Sequence, residues 1–292
     1  MNKELARELI GAGVHFGHAV SRWNPKMEPY IFGKRGMIHI INVKETLKGL
    51  IIAKKLLANV VSNGRDVVFV GTKRQAKKAV YNASQKCGMH YVSERWLGGT
   101  LTNFRTIRSR LQRLEELESM EATGSIEAQG KRQGSRLKRE LSKVKTNLDG
   151  IRKMNRMPGA MVVVDARKEY IALREARKLG IPTIALMDTD SDPDTVDVAI
   201  PGNDDSIKAI EILMDQLATA IAEGKTMVRQ EDVTTMGVTR TQRARTSRRR
   251  VLASAQEEEP LNEEPSVEVS IPDAPDAPDA SEVTEPSEAN AQ

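Results

Sequence analysis

Short apolar runs alternate with amphipathic stretches through residues 37–222. Runs rich in β-branched residues predict strands at Ile38–Val43, Val67–Val70, Met89–Val92, Met161–Val164, Thr183–Met187 and Val196–Ile200. Stretches with helical periodicity lie between them, at Glu45–Val61, Arg74–Lys86, Lys168–Leu179 and Ser206–Ala222. Strands that are apolar throughout and separated by helices are typical of a parallel sheet covered on both faces. The pattern therefore predicts a doubly wound α/β domain.

One segment breaks this alternation. Residues 104–117 and 137–151 each carry a narrow apolar stripe at heptad spacing, and three glycines lie in the stretch between them. Two such stripes joined by a breaker predict an antiparallel coiled-coil hairpin. We therefore expect residues 102–153 to be a hairpin inserted into an α/β domain made of residues 1–101 and 154–224.

The charge of the chain is divided unevenly. Residues 253–292 hold twelve acidic residues and no Lys or Arg, so residues 1–252 carry 45 basic against 28 acidic residues. A net charge of +17 over these residues attracts polyanions. We expect 225–252 to be a basic arm, with six arginines between 240 and 250, and 253–292 to be a disordered acidic tail.

Composition narrows the class of protein. A single cysteine, Cys87, excludes an internal disulfide and a Cys-rich zinc site. The N-terminus lacks a signal-peptide core, and the apolar runs are much shorter than the ~20 residues of a membrane helix. We therefore expect a cytoplasmic protein without a membrane partner.

Two places invite an enzymatic interpretation. Gly71-Thr72-Lys73 follows a predicted strand and precedes a helix, which suits an anion, but it completes neither known phosphate-binding glycine motif. Cys87 has His90 nearby in sequence, but nothing specifies the third group that a catalytic pair needs. No small-molecule substrate or required cofactor is expected, and a structural cysteine is the favoured interpretation.

Carboxylates cluster where two predicted strands end. Asp188 begins "DTDSDPD" after one strand, and Asp204 lies in "PGNDDS" after the next. Crowded carboxylates need arginines, helix caps or a divalent ion to offset their repulsion. We predict that His18 faces this edge and shares one zinc or magnesium ion with Asp188 and Asp204. The alternative is that His18 is only a hydrogen-bond partner of the carboxylates.

Basic residues interleaved with glycines and aromatics predict contacts with RNA phosphates. They lie in "HFGHAVSRWNPK", "YIFGKRGMIHI", "VGTKRQA" and "RWLGGTLTNFRTIR". The candidate RNA-binding residues are Arg22, Lys26, Lys34, Arg35, Lys73, Arg74, Arg95, Arg105 and Arg108. Trp96 and Phe104 are expected to anchor the hairpin by packing, while the glycines let the backbone approach a phosphate.

Several of these motifs resemble one known family. "GVHFGHAVSRWNPKMEPYIFGKRGMIHIINVKETL", "VVFVGTKRQA", "ERWLGGTLTNFRTIRSRL" and "IPGNDDSIKAIEIL" are similar to the bacterial small-subunit ribosomal proteins of the S-two family. The resemblance runs from about residue 2 to residue 224. Residues 225–292 extend beyond it, and Ser191 stands where many relatives have Cys or another small residue.

The resemblance implies a flavodoxin-like domain that carries a coiled-coil hairpin. It implies a structural role in the small ribosomal subunit, with binding to small-subunit rRNA between head and body. It also implies contact with neighbouring ribosomal proteins and support for the large mRNA-binding protein of the S-one family, without catalytic activity. Two alternatives remain open from the residues alone: an α/β enzyme or nucleotide-binding protein, and an interaction module whose hairpin docks a partner coil.

Overall fold

The computed structural model describes residues 3–128 and 130–226. The predicted basic arm, apart from its first two residues, and the predicted acidic tail therefore lie outside the described residues. Among the described residues, no helix combines the length and the apolar character needed to cross a membrane.

Five parallel strands form the central sheet. They are β4 (Val67–Val70), β5 (His90–Val92), β6 (Ala160–Val164), β7 (Thr183–Met187) and β8 (Val198–Pro201), and their spatial order is β5-β4-β6-β7-β8. Every residue of β4, β6 and β7 is buried, which explains why these strands are apolar throughout. The order reverses between β4 and β6, so the carboxyl ends of these two strands flank the switch point of the sheet.

Helices cover both faces of this sheet. On one face, α1 (Lys3–Gly11), α2 (Val43–Ser62), α3 (Lys77–Cys87) and residues 207–226, here α8, pack against Phe69, Val162 and Leu186. On the other face, α7 (Tyr170–Lys178) and the base of the hairpin pack against Val70, Val163 and Met187. The predicted two-sided α/β arrangement is confirmed.

Ile38–Val43 does not join the parallel series, so that prediction is wrong. The strands β1 (Phe16–Ala19), β2 (Ile31–Arg35) and β3 (Ile38–Ile41) form a separate antiparallel sheet in the order β1-β3-β2. Only two residues connect β2 to β3, and Gly36 there has a φ of +62°. A connection this short can only join antiparallel neighbours. The small sheet places His18, on β1, beside the carboxyl edge of the parallel sheet.

The hairpin consists of α4 (Phe104–Ala122), a single turn α5 (Ser125–Ala128) and α6 (Lys131–Leu148). Ile107 and Leu111 share a cluster with Leu148, whereas Leu117 shares one with Leu137 and Leu141. The two long helices are therefore in contact and run in opposite directions.

The predicted breaker is shorter than expected. Gly134, its third glycine, lies inside α6, where a Cβ atom would be 2.7 Å from the Ile126 carbonyl oxygen. The glycine is needed for close approach to the turn and does not end the helix, while Ile126 is buried and closes the tip of the hairpin.

Candidate functional site at the carboxyl edge of the sheet

Three buried carboxylates lie at the carboxyl edge of the parallel sheet. Asp165 directly follows β6, Asp188 follows β7, and Asp204 comes three residues after β8. Each is no more than 6% exposed. They converge because the ends of parallel strands meet at one edge of the sheet.

The ammonium group of Lys73 lies among these carboxylates. Its Nζ atom is 3.1 Å from Asp165 Oδ2, 2.8 Å from Asp204 Oδ1 and 2.9 Å from Asp205 Oδ1. Burial opposes the charge of Lys73, but the hydrogen bonds and charges of its acidic partners outweigh that effect and raise its pKa. Only 16% of the side chain is exposed. The prediction that Lys73 contacts RNA is therefore revised, because its donors are used inside the protein.

His18 approaches the same edge from the small sheet. Its Nδ1 atom is 2.8 Å from Asp188 Oδ2, and its backbone N–H donates to Asp188 Oδ1 at 3.1 Å. The ring contact is not aligned as a hydrogen bond, so it is an ion contact. Close contact with Asp188 raises the pKa of His18 to about 9 against the opposing effect of burial.

The predicted metal ligands are neighbours in the fold. His18, Asp188 and Asp204 each offer a ligand atom, and these atoms lie within 4.8 Å of one another. Asp204 Oδ2 is buried and has no hydrogen-bond partner among the described residues. Burial, followed by the nearby charge of Asp165, raises the pKa of Asp204 to about 7. The arrangement fits a cation, and the bound ion itself stays a prediction.

The sequence reasoning missed Asp165. A signal was available, because Asp165 occupies the same position after β6 that Asp188 occupies after β7. Part of the compensation that the crowded carboxylates need comes from Lys73, in the turn after β4.

The turn after β4 does not form a free phosphate site. Glu169 is buried, and its Oε1 atom accepts hydrogen bonds from the Thr72 backbone N–H, at 3.2 Å, and from the Thr72 hydroxyl. Burial raises the pKa of Glu169 against the lowering effect of these bonds. A carboxylate of the chain itself thus holds the N–H group that a nucleotide phosphate would use, which argues against the nucleotide-binding alternative.

A second internal carboxylate organises the glycine-rich loop before the hairpin. One oxygen of Glu175 accepts from the Trp96 indole at 3.2 Å and from the Gly99 N–H at 2.7 Å. The other oxygen accepts from the N–H groups of Leu101 and Thr102 at 3.0 and 3.1 Å. Because Glu175 already satisfies these donors, they argue against the expectation that this loop offers its backbone to a phosphate. Trp96 is buried and packed, as predicted.

Cys87 has a structural environment. It is buried in the core of the α/β domain, and burial raises the pKa of its thiol to about 11. A thiol that is protonated at neutral pH is a poor nucleophile.

Comparison with known proteins identifies the family of the chain. Residues 9–224 match the family model described as ribosomal protein S2. The chain belongs to the ribosomal protein S2 family. It is 56% identical over 231 residues to the small ribosomal subunit protein uS2 of Rhodopirellula baltica, which covers 79% of this chain and 89% of that protein. The corresponding protein of Synechocystis is 49% identical over 218 residues, covering 75% of this chain and 81% of that protein.

Membership of the ribosomal protein S2 family defines the general role of the chain. It is a structural constituent of the small ribosomal subunit with a role in translation, located on the cytoplasmic ribosome. The family is not enzymatic, so the enzyme alternative is excluded.

The other predicted RNA-binding residues of this S2 family member differ in their availability. Lys26 is exposed, but its Nζ atom is 3.0 Å from Asp192 and 2.6 Å from Asp194. Arg108 is exposed and donates to the Asn155 carbonyl oxygen at 3.4 Å. The remaining six are exposed and make no ion pair with any described residue: Arg22, Lys34, Arg35, Arg74, Arg95 and Arg105.

Replacing Lys73 tests its role at the carboxyl edge. In Lys73→Met, Asp165 and Asp204 lose the buried ammonium group that they share, and we expect the free energy of unfolding to fall by about 3 kcal/mol. The added change Asp204→Asn removes one of the stranded charges and should restore part of the loss. Urea unfolding of the single and double variants measures both effects, and equal stability of Lys73→Met and wild type would contradict this role.

Acid unfolding tests the carboxylate of Glu175. Burial favours its neutral form, but the N–H groups of Gly99, Thr102 and Leu101 outweigh burial and lower its pKa. Its ionised form therefore stabilises the fold above the ordinary pKa of 4.5, and this contribution is lost as the pH falls below that value. We expect Glu175→Gln to be less stable at pH 7 and to lose less stability than wild type on acidification.

The matched control for this measurement is Glu28→Gln, because Glu28 is exposed and makes no ion pair with a described residue. Its unfolding curves between about pH 3 and pH 7 should follow those of wild type. An acid dependence of Glu175→Gln that equals that of wild type would show that Glu175 does not stabilise through its charge.

Proposed function

We propose that this chain binds small-subunit rRNA between the head and the body of the subunit, and contributes in this way to subunit assembly. The observation that carries the proposal is that some basic side chains are paired with carboxylates while others are exposed without an ion partner among the described residues. Lys73 and Lys26 are paired with carboxylates, whereas Arg35, Arg95 and Arg105 are exposed without an ion partner among the described residues. Exposed arginines suit the bidentate recognition of phosphates.

The predicted flavodoxin-like domain with a coiled-coil arm suits this role. Arg35 belongs to the small sheet, whereas Arg95 and Arg105 flank the loop that Glu175 holds at the base of the hairpin. Cations carried by separate elements allow contact with more than one rRNA segment, and contact with both head and body would support assembly.

A contact with the large mRNA-binding protein of the S-one family is part of the same proposal. The small sheet exposes apolar side chains, with Phe32 79% exposed and Met37 73% exposed. Phe16 and Ile38 of the same sheet are also exposed. Clustered exposed apolar residues are typical of a protein contact rather than a phosphate contact.

Binding to rRNA is tested with a triple variant. Because each phosphate contact contributes about one unit to the log–log salt slope, Arg35→Gln combined with Arg95→Gln and Arg105→Gln should flatten the slope by about two to three units. The control Lys26→Gln removes a paired cation and should change the slope less. Footprinting should show protection in both head and body rRNA, and protection of only one would contradict the proposed location.

We also propose one divalent ion, zinc or magnesium, at His18, Asp188 and Asp204. The unpartnered Oδ2 atom of Asp204 and the convergence of one ligand atom from each of the three residues within 4.8 Å support it. The carboxylates suit a hard cation, and the imidazole adds a ligand that zinc prefers. Such an ion would tie β1 to the carboxyl edge of the parallel sheet, and Lys73 would offset the remaining acidic charge.

Elemental analysis of the purified chain tests the ion. We expect close to one zinc or magnesium per chain and a higher thermal midpoint when that metal is added back after chelation. The change Asp204→Asn should abolish the shift, whereas Asp194→Asn, which removes an exposed carboxylate near the edge, should keep it. Absence of metal together with no thermal shift would leave His18 as a polar partner of Asp188 only.

A further inference from the structure

One face of α6 carries a row of four cations. Arg132, Arg136, Arg139 and Lys143 follow a 4-3-4 spacing and are all exposed. At about 100° per residue, this spacing aligns them along one line of the helix, roughly 145° away from the seam that contains Leu137 and Leu141. The row spans about 16 Å of the helix axis. We call these four residues the α6 cation row.

No acidic residue interrupts the line of α6 along which the four cations of the row lie. Glu140 is the one acid of α6, and its Oε1 atom is 3.7 Å from Arg113 of α4. Cations nearer the seam are paired within the hairpin, since Lys138 is 2.9 Å from Glu127 and Lys145 is 3.7 Å from Glu118. The four cations of the row make no ion pair with any residue that the structure describes. Within α6, the cations that are paired thus lie toward the seam.

This arrangement disfavours the isolated helix. Like charges separated by three or four residues repel, and the row contains three such successive pairs. A hairpin that needed only a soluble surface would be better served by alternating signs, as on its seam side. A bound polyanion would offset the repulsion along the whole row.

We infer that the α6 cation row binds a run of consecutive RNA backbone phosphates, an inference that rests on the proposed binding to rRNA. Successive cations lie about 6 and about 4.5 Å apart along the axis, and three of the four are arginines, which pair bidentately with phosphates. Since α6 has no aromatic residue to stack on a base, the contact is with the backbone and is independent of base sequence. The row adds four residues to the proposed interface.

The test compares two variants of the full chain that lose the same charge. In the first, Arg132, Arg136, Arg139 and Lys143 are all changed to Gln. In the control, four exposed lysines of the α/β domain that make no ion pair with a described residue are changed to Gln: Lys44, Lys55, Lys78 and Lys208. Binding to full-length small-subunit rRNA is measured over a series of salt concentrations.

We expect the row variant to flatten the log–log salt slope by about three units, because four phosphate contacts are lost, and the control by less than about one unit. An unchanged slope of the row variant would overturn the inference. Equal losses in both variants would also overturn it, because they would show an effect of net charge alone. If wild type itself fails to bind, the proposed function fails instead.

Directed cleavage gives a second measurement that does not depend on affinity. An iron chelate attached through Ser142→Cys, an exposed position of α6 beside the row, should cleave one continuous stretch of rRNA backbone in the assembled subunit. Native Cys87 is buried and should stay unlabelled. The absence of rRNA cleavage from this position in assembled subunits would place the row away from RNA and overturn the inference.

Discussion

The ammonium group of Lys73 stands at the point where the parallel sheet ends, and the local structure depends on its charge. Parallel strands bring their carboxyl ends together, so Asp165 and Asp204 reach the same place from β6 and from the loop after β8. Buried carboxylates in this position repel one another unless a cation lies between them. Lys73 reaches both, at 3.1 and 2.8 Å, from the turn after β4. One side chain therefore ties together three strands of the sheet.

Buried carboxylates also satisfy polar groups of the chain in two loops after neighbouring strands, where they accept hydrogen bonds from backbone N–H groups. Glu169 takes up the Thr72 N–H at the switch point of the sheet, and Glu175 takes up three N–H groups of the glycine-rich loop. In a ligand-binding protein of this architecture, such donors would face a phosphate. Here they face carboxylates of the chain itself. These backbone donors are thereby satisfied within the chain rather than by a small anionic ligand.

The sequence predicts most of this architecture but not the direction of its charged side chains. Apolar runs identify the buried strands because a sheet covered on both faces leaves no polar position, and heptad spacing identifies α4 and α6 because their seam is narrow. The sequence alone assigns Lys73 to RNA, because a basic residue after a strand resembles a phosphate ligand. Its three carboxylate partners are about 90 to 130 residues away in sequence, so only the folded chain reveals them. The small sheet was missed for a similar reason, since its strands pair with each other rather than with the apolar runs that follow.

The hairpin shows why unpaired cations are informative in this protein. A two-helix hairpin buries only one stripe on each helix, so most of its surface is free to carry any polar residue. Near the seam the cations have carboxylate partners, such as Glu118 for Arg152 and Glu127 for Lys138. On the far side of α6 the cations have no such partner among the described residues. If the row served solubility alone, acidic residues three or four positions away on α6 could balance its cations, as Glu116 balances Arg113 on α4. Glu140 is the one acid of α6, and it lies near Arg113 of α4 instead, which supports the inferred contact with RNA phosphates.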